Sequence, residues 1–163
     1  MNKYSLNPED YLKKSFVLII GLLILISSYS LSQDKKMGAG IILGEPTGFS
    51  FKYWLTEKTA LDAGLAWSFI DENAFQIQAD YLVHNFNLIK FPDGKLPFYF
   101  GIGGRLKFSN DVKLGVRVPL GLTWIFNEAT FDVFFEAVPI LDLLPETDFT
   151  ISVAIGGRYF FNF

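Results

Sequence analysis

Ionisable side chains recur at alternate positions along short segments of this sequence. Lys52 lies between Phe51 and Tyr53, and Arg158 lies between Gly157 and Tyr159. Successive side chains of an extended chain point to opposite faces, so these ions share a face that is otherwise small and polar. Enclosed charges must be compensated, and the pattern predicts an interior network of ions that pair between neighbouring strands: Lys52, Asp62, Asp80, Arg105, Lys107, Lys113, Arg117, Asp132, Glu136 and Arg158. Turn positions predict that Lys52 lies opposite Asp62, Arg117 near Glu136, Asp132 near Arg158, and Asp80 near Arg105 or Lys107.

Catalytic chemistry has little support in the sequence. The chain has one histidine, His84, and no cysteine. It also lacks the spacings of a metal site, a nucleophile motif or a phosphate loop. A lone histidine of this kind is most simply a hydrogen-bonded structural residue. We therefore predict no enzyme, no catalytic residue, no metal and no cofactor.

Residues 1–32 have the pattern of a cleaved export signal. Lys3, Lys13 and Lys14 precede the apolar run 16–26, and small residues at 30 and 32 suit cleavage before Gln33. The apolar run is too short for a membrane-spanning helix. We predict a signal peptide over 1–32 and one domain over 33–163.

In the remainder of the chain, apolar residues alternate with small or polar ones at a period of two, in segments bounded by turn signals. The last segment, from Phe149 to the end, is the clearest example. The segments predict eight antiparallel strands of about ten residues, the unit of an all-β, up-and-down transmembrane β-barrel. Pro119 falls inside one of them and predicts a local break, because proline cannot donate to a ladder.

The alternation leaves open which face is inside. A soluble barrel would place the aromatic side chains inward and the charges in water. The polar face, however, is mostly Gly, Ala, Ser and Thr with isolated ions. An eight-stranded interior also has little room for several large residues from each strand. The sequence therefore favours apolar side chains facing lipid.

The pattern resembles the small OmpX/OmpA-type eight-stranded outer-membrane barrels. The runs 44–48 (GEPTG), 51–55 (FKYWL) and 133–142 (VFFEAVPILD) are similar to an uncharacterised spirochaete outer-membrane family. The resemblance implies the fold and a bacterial outer-membrane location, and it carries no catalytic residues. It also implies a C-terminal signal for the barrel-assembly machinery, formed by Tyr159, Phe161 and Phe163.

The predicted function is a monomeric structural or surface-interaction barrel. A narrow, weakly conducting channel and a lipid-modifying enzyme are the alternatives. The net charge of −3 indicates no nucleic-acid partner. Expected partners are outer-membrane lipid, the assembly machinery and an extracellular protein ligand of unknown identity. We expect that ligand at the connection 139–148, an acidic and apolar external loop: Leu141, Asp142, Leu143, Leu144, Glu146 and Asp148.

Overall fold

The computed structural model describes residues 37–68, 74–89, 94–126 and 130–161. The predicted signal peptide and Phe163 lie outside these residues. The described ranges contain nine strands, and no helix within them is long and apolar enough to cross a membrane. The strands are β1 (Met37–Glu45), β2 (Thr47–Trp54), β3 (Thr59–Trp67), β4 (Phe75–Asn85), β5 (Phe98–Phe108), β6 (Val112–Arg117), β7 (Leu120–Ile125), β8 (Phe131–Leu144) and β9 (Asp148–Phe161).

Every strand pairs with its neighbours antiparallel, in an up-and-down order. The ladder passes from β1 to β5, then to β6 and β7, and on through β8 and β9. β9 pairs with β1 again, from Met37↔Phe161 to Glu45↔Val153. The series of strand pairings therefore starts at β1 and returns to β1.

The register shifts by ten residues around this path. Starting at Gly38, successive partners lead through Lys52 and the intervening strands to Thr150 in β9. The direct β1–β9 pairing places Gly38 opposite Phe160, ten residues from Thr150. The strands are therefore strongly staggered against one another.

β6 and β7 are two halves of one predicted strand, interrupted at Pro119 as the sequence predicts. Both halves pair with β5 and with β8. The Pro119 carbonyl still accepts from the Gly101 N–H at 2.9 Å, and the Pro139 carbonyl accepts from the Val118 N–H at 3.0 Å. Each proline thus removes a donor from the ladder and keeps its acceptor, so the wall continues past the break.

β8 is longer than predicted, because Pro139 does not end it. The strand spans 14 residues, and its pairing with β9 runs without a shift from Phe131↔Tyr159 to Asp142↔Asp148. The predicted connection 139–148 is therefore mostly strand, and only 145–147 lie between β8 and β9.

Large side chains of the buried face lie over glycines of neighbouring strands. Tyr99 is the register partner of Gly121, Phe134 of Gly156, and Phe160 of Gly38. A Cβ atom at any of these glycines would collide with the facing ring. The small residues of the polar face therefore make room for a few buried aromatic rings.

Candidate functional site: a charged buried face behind an apolar surface

Burial alternates along the strands and is inverted relative to a water-soluble protein. The exposed positions carry large apolar side chains, including Phe149 at 61% and Ile155 at 50% exposure. The buried positions carry many polar and charged side chains. The ionisable residues buried in the structure are Lys52, Asp62, Asp80, His84, Arg105, Lys107, Arg117, Asp132, Glu136, Asp142 and Arg158.

Arg158 of β9 is held by groups from three other strands. Its Nη2 atom is 2.7 Å from Asp62 Oδ2, and its Nη1 atom is 3.5 Å from Asp132 Oδ2. Its Nε donates to Ser50 Oγ at 2.8 Å. The guanidinium carbon lies 3.9 Å from the centroid of the Phe134 ring. This arrangement compensates a fully enclosed cation with two carboxylates, a hydroxyl and an aromatic face.

Arg117 forms a second cluster with two carboxylates. Its Nε atom is 3.1 Å from Asp80 Oδ1, and its Nη2 atom is 3.5 Å from Glu136 Oε1. The other oxygen of Glu136 accepts from the Tyr99 hydroxyl at 3.0 Å. The cluster joins β4, β5, β6 and β8, so it links strands that are not all neighbours in the sheet.

Arg105 and Asp142 form a bidentate ion pair near the end of the sheet that contains the β8–β9 turn. Arg105 Nε and Nη2 lie 3.0 Å and 2.7 Å from the two Asp142 oxygens. Arg105 Nη1 is 3.5 Å from Gln76 Oε1, and Gln76 donates to Gln78 at 2.7 Å. A planar guanidinium matches a carboxylate in this geometry, which fixes both side chains.

Lys52 and His84 contact each other among aromatic rings, near the opposite end of the sheet. Lys52 Nζ is 2.8 Å from His84 Nε2 and 4.6 Å from the centroid of the Trp54 ring. His84 Nδ1 is 3.3 Å from the Lys58 carbonyl oxygen. If Nδ1 donates to that carbonyl, Nε2 accepts from the ammonium of Lys52. The contacts of His84 are thus those of a structural hydrogen-bonding residue.

The structure brings most of the predicted interior ions together, with some changes of partner. Lys52 and Asp62 are register partners, yet Lys52 contacts His84 and Asp62 contacts Arg158. Asp132 does contact Arg158, and Arg117 does contact Glu136.

Other interior predictions were wrong in part. Asp80 pairs with Arg117 of β6 and not with Arg105 or Lys107 of β5, because its register partner on β5 is Gly103, whose own partner on β6 is Arg117. Lys107 is buried, whereas Lys113 is only half-buried.

The predicted external contact loop is wrong in its central residues. Asp142 is fully buried in β8 and paired with Arg105. Leu141, Leu143 and Leu144 also belong to β8 and have exposed side chains. Glu146 in the turn and Asp148 at the start of β9 are exposed. Pro139 lies inside β8, so the strand runs through most of the predicted loop.

Aromatic side chains mark both ends of the exposed apolar surface. At the end with the β8–β9 turn, ring centroids follow one another from Phe49 to Trp67 at 6.4 Å, to Phe75 at 5.3 Å and to Phe108 at 6.2 Å. At the other end Tyr159 and Phe161 contact each other at 5.2 Å. Aromatic residues at both edges of an apolar band are typical of membrane-spanning sheets.

Sequence reasoning missed several functional contacts of the buried face. Tyr99 and Gln76 lie at inward-facing positions of their strands but are not among the predicted interior residues. The sequence also predicts Asp142 in a loop. The signal for each was the alternation of its own strand, in which odd positions face inward in β5 and even positions face inward in β4 and through 132–142 in β8. Among the described residues, no group of three or more His, Asp or Glu side chains could hold a metal ion.

An antiparallel up-and-down sheet that buries ions on one face and exposes apolar side chains on the other has the pattern of outer-membrane β-barrels. Known structures support this class. The N-terminal β-barrel domain of Pseudomonas aeruginosa OprF superimposes with a TM-score of 0.63 at 15% identity, over 80% of this chain and 100% of that domain. A de novo designed transmembrane β-barrel gives a TM-score of 0.56 at 15% identity, over 80% of this chain and 98% of the design.

These similarities show the fold alone. No protein-family model and no curated protein matches the sequence. The resemblance to spirochaete outer-membrane barrels therefore stays a prediction.

Proposed function

We propose that this chain is a closed, eight-stranded transmembrane barrel of the bacterial outer membrane, in which β6 and β7 form one wall strand. It acts as a structural or surface-interaction protein with a filled, ion-paired interior. The observation that carries the proposal is the inverted burial, with ions inside and large apolar side chains outside. In water the apolar surface would be a large aggregation-prone patch, whereas in lipid it is matched to its solvent.

The strand ladder supports the membrane location. A lipid-exposed backbone must satisfy its polar groups internally, and a barrel does so by pairing each strand on both sides. Here β9 returns to β1 with nine register pairs. With about 3.3 Å per residue and 4.7 Å between strands, a ten-residue shift over eight strands corresponds to a tilt of about 40°, within the range of such barrels.

The packing of the interior favours a structural role over a channel. Eight-stranded barrels are just wide enough to be filled by side chains. Here Arg158, Arg117 and Arg105 each connect to acids on other strands, so ion pairs cross the enclosed space at several levels. An ion entering this space would have to separate them.

The arrangement of turns supports one orientation. β1 begins and β9 ends at the same end of the sheet. We propose that this end is periplasmic, that residues 1–32 direct export, and that the end with the β8–β9 turn faces outward. Enzymatic activity is not part of the proposal, since His84 is fully engaged by Lys52 and Lys58.

The test uses the folded protein in lipid vesicles. The chain has no cysteine, so single cysteines report one position each. A polarity-sensitive label at Ile155→Cys, on the exposed face, should be quenched by lipid-borne quenchers. The matched label at Ala154→Cys, on the buried face, should not be quenched. The folded protein should also shift on a gel after boiling and give no steady conductance in planar bilayers.

Two results would contradict the proposal. Equal lipid quenching at 154 and 155 would remove the inside-out assignment. A stable unitary conductance would replace the filled interior with a channel.

A further inference from the structure

The exposed apolar surface is much taller on one side of the barrel than on the other. Its outward apolar residues run from Phe49 in β2 to Leu55, which directly follows that strand, and in β9 they run from Phe149 to Phe161. With about 3.3 Å per residue and a tilt of about 40°, these lengths correspond to about 15 Å and about 30 Å along the barrel axis. An outer-membrane apolar band is about 25 Å tall. The β1–β2 hairpin is therefore too short for the band, and β9 is not.

The missing height lies at the end with the β8–β9 turn. At the other end β1 and β9 finish together, with Met37 opposite Phe161. The pairing of β1 with β9 stops at Glu45↔Val153, so residues 148–152 continue past the β1–β2 turn. The wall thus has a step, which we name the notch: the β1–β2 turn (44–48) and the adjacent edge of β9 (148–152).

Polar groups occupy the notch. Glu45 and Thr47 occupy outward positions at the ends of β1 and β2. The Ser152 hydroxyl donates to the carbonyl of Glu45. The register of β1 provides no backbone partner for Phe149 or Ile151 on that side. Such groups are costly in hydrocarbon, so the notch requires water or lipid headgroups.

The opposite wall is apolar at the same height. Val112 and Leu114 in β6, and Leu141 and Leu143 in β8, are exposed apolar side chains near this end. Exposing them to water would leave a large apolar patch. The series of aromatic rings from Phe49 to Phe108 crosses β2 to β5. The outward apolar run beneath it lengthens from 49–55, in and directly after β2, to 98–108 in β5. The boundary of the apolar surface therefore slopes.

We propose that the membrane follows this slope, so that the leaflet at the notch is depressed by about 10 Å and lipid headgroups fill the notch. The partner is a lipid surface: headgroups and their water solvate Glu45, Thr47 and the free edge of β9. This inference rests on the proposed function, since it requires a barrel that spans the bilayer. Beyond that function, the inference places a locally thinned bilayer beside β1 and β2.

The test compares two labels at one height on opposite walls. Leu43 in β1 is the third outward position beyond Met37, and Val118 is the third outward position beyond Trp124. Both side chains are exposed, at 51% and 41%. Spin labels are attached at Leu43→Cys and Val118→Cys, in vesicles of a phosphatidylcholine with 16-carbon chains. The depth of each label is obtained by comparing its relaxation by oxygen with its relaxation by a water-soluble nickel relaxant. We expect the label at 43 to lie about 10 Å closer to the headgroups than the label at 118.

A variant tests whether the polar notch causes the difference. Glu45→Leu with Thr47→Val removes the polar side chains, and the label at 43 should then move deeper. Glu146→Leu, in the β8–β9 turn, is the matched control and should leave the depth at 43 unchanged.

Equal depths at 43 and 118 in the folded protein would contradict the proposed membrane depression at the notch and would not affect the proposed barrel. Two water-exposed labels together with no gel shift on boiling would overturn the proposed barrel itself.

Discussion

Buried ions in this protein are held by partners that no single strand provides. Asp142 and Arg105 lie on β8 and β5, which are separated by β6 in the sheet. The pair is almost fully enclosed, with side-chain exposures of 5% for Arg105 and 1% for Asp142. Removing one charge of such a pair leaves the other uncompensated, and that loss is larger than the net value of the intact pair.

At the residue scale we therefore expect Asp142→Asn to lower the free energy of unfolding by about 3–5 kcal/mol. Urea unfolding of the folded protein in lipid vesicles, followed by tryptophan fluorescence, measures it. Asp148→Asn is the matched control, because Asp148 is exposed in the same hairpin and should change stability by less than about 0.5 kcal/mol. Equal midpoints for the two variants would show that the Arg105–Asp142 pair is dispensable.

The strands are adapted to one another by pairing large rings with glycines. Phe134 in β8 lies against Gly156 in β9, and a Cβ atom at Gly156 would meet the Phe134 ring and the Ile41 carbonyl. Gly104 in β5 faces outward, and a Cβ atom there would meet only the Gly115 carbonyl, at 3.7 Å. The two glycines therefore differ in what a side chain would displace.

At the element scale we expect Gly156→Val to destabilise the barrel by about 1–3 kcal/mol, because the added side chain overpacks the interior. Gly104→Val should be tolerated, since its side chain would enter lipid. Urea midpoints and the fraction of folded protein on an unboiled gel give the measurement. A Gly156→Val protein with the stability of Gly104→Val would contradict the packing argument.

The whole molecule depends on the return of β9 to β1. Tyr159 and Phe161 lie on the outward face at the end of β9, where it pairs with the start of β1. The sequence places Phe163 two residues further along the same parity, outside the described residues. The resemblance to outer-membrane barrels implies that Tyr159, Phe161 and Phe163 form the signal for assembly.

At the scale of the whole chain we expect deletion of Phe163 to leave export intact and to prevent insertion. The protein should accumulate in the periplasm without a heat-modifiable band. Deletion of Asn2, within the predicted signal peptide, is a control of equal size that should leave the folded band unchanged. A normal folded band for the Phe163 deletion would remove the assembly argument.

Alternation by itself determined which side chains share a face, because the period of a strand is a local property of the backbone. It placed the interior ions on one parity and predicted the break at Pro119. Only the tertiary structure decided their partners. Asp62 contacts Arg158 and not its register neighbour Lys52, since side chains on the buried face of a strongly staggered sheet reach groups on strands that are not adjacent. That meeting depends on the ten-residue register shift, which is set by eight successive pairings and cannot be obtained from any one segment. Pro139 likewise continues a strand because both neighbouring strands hold it there.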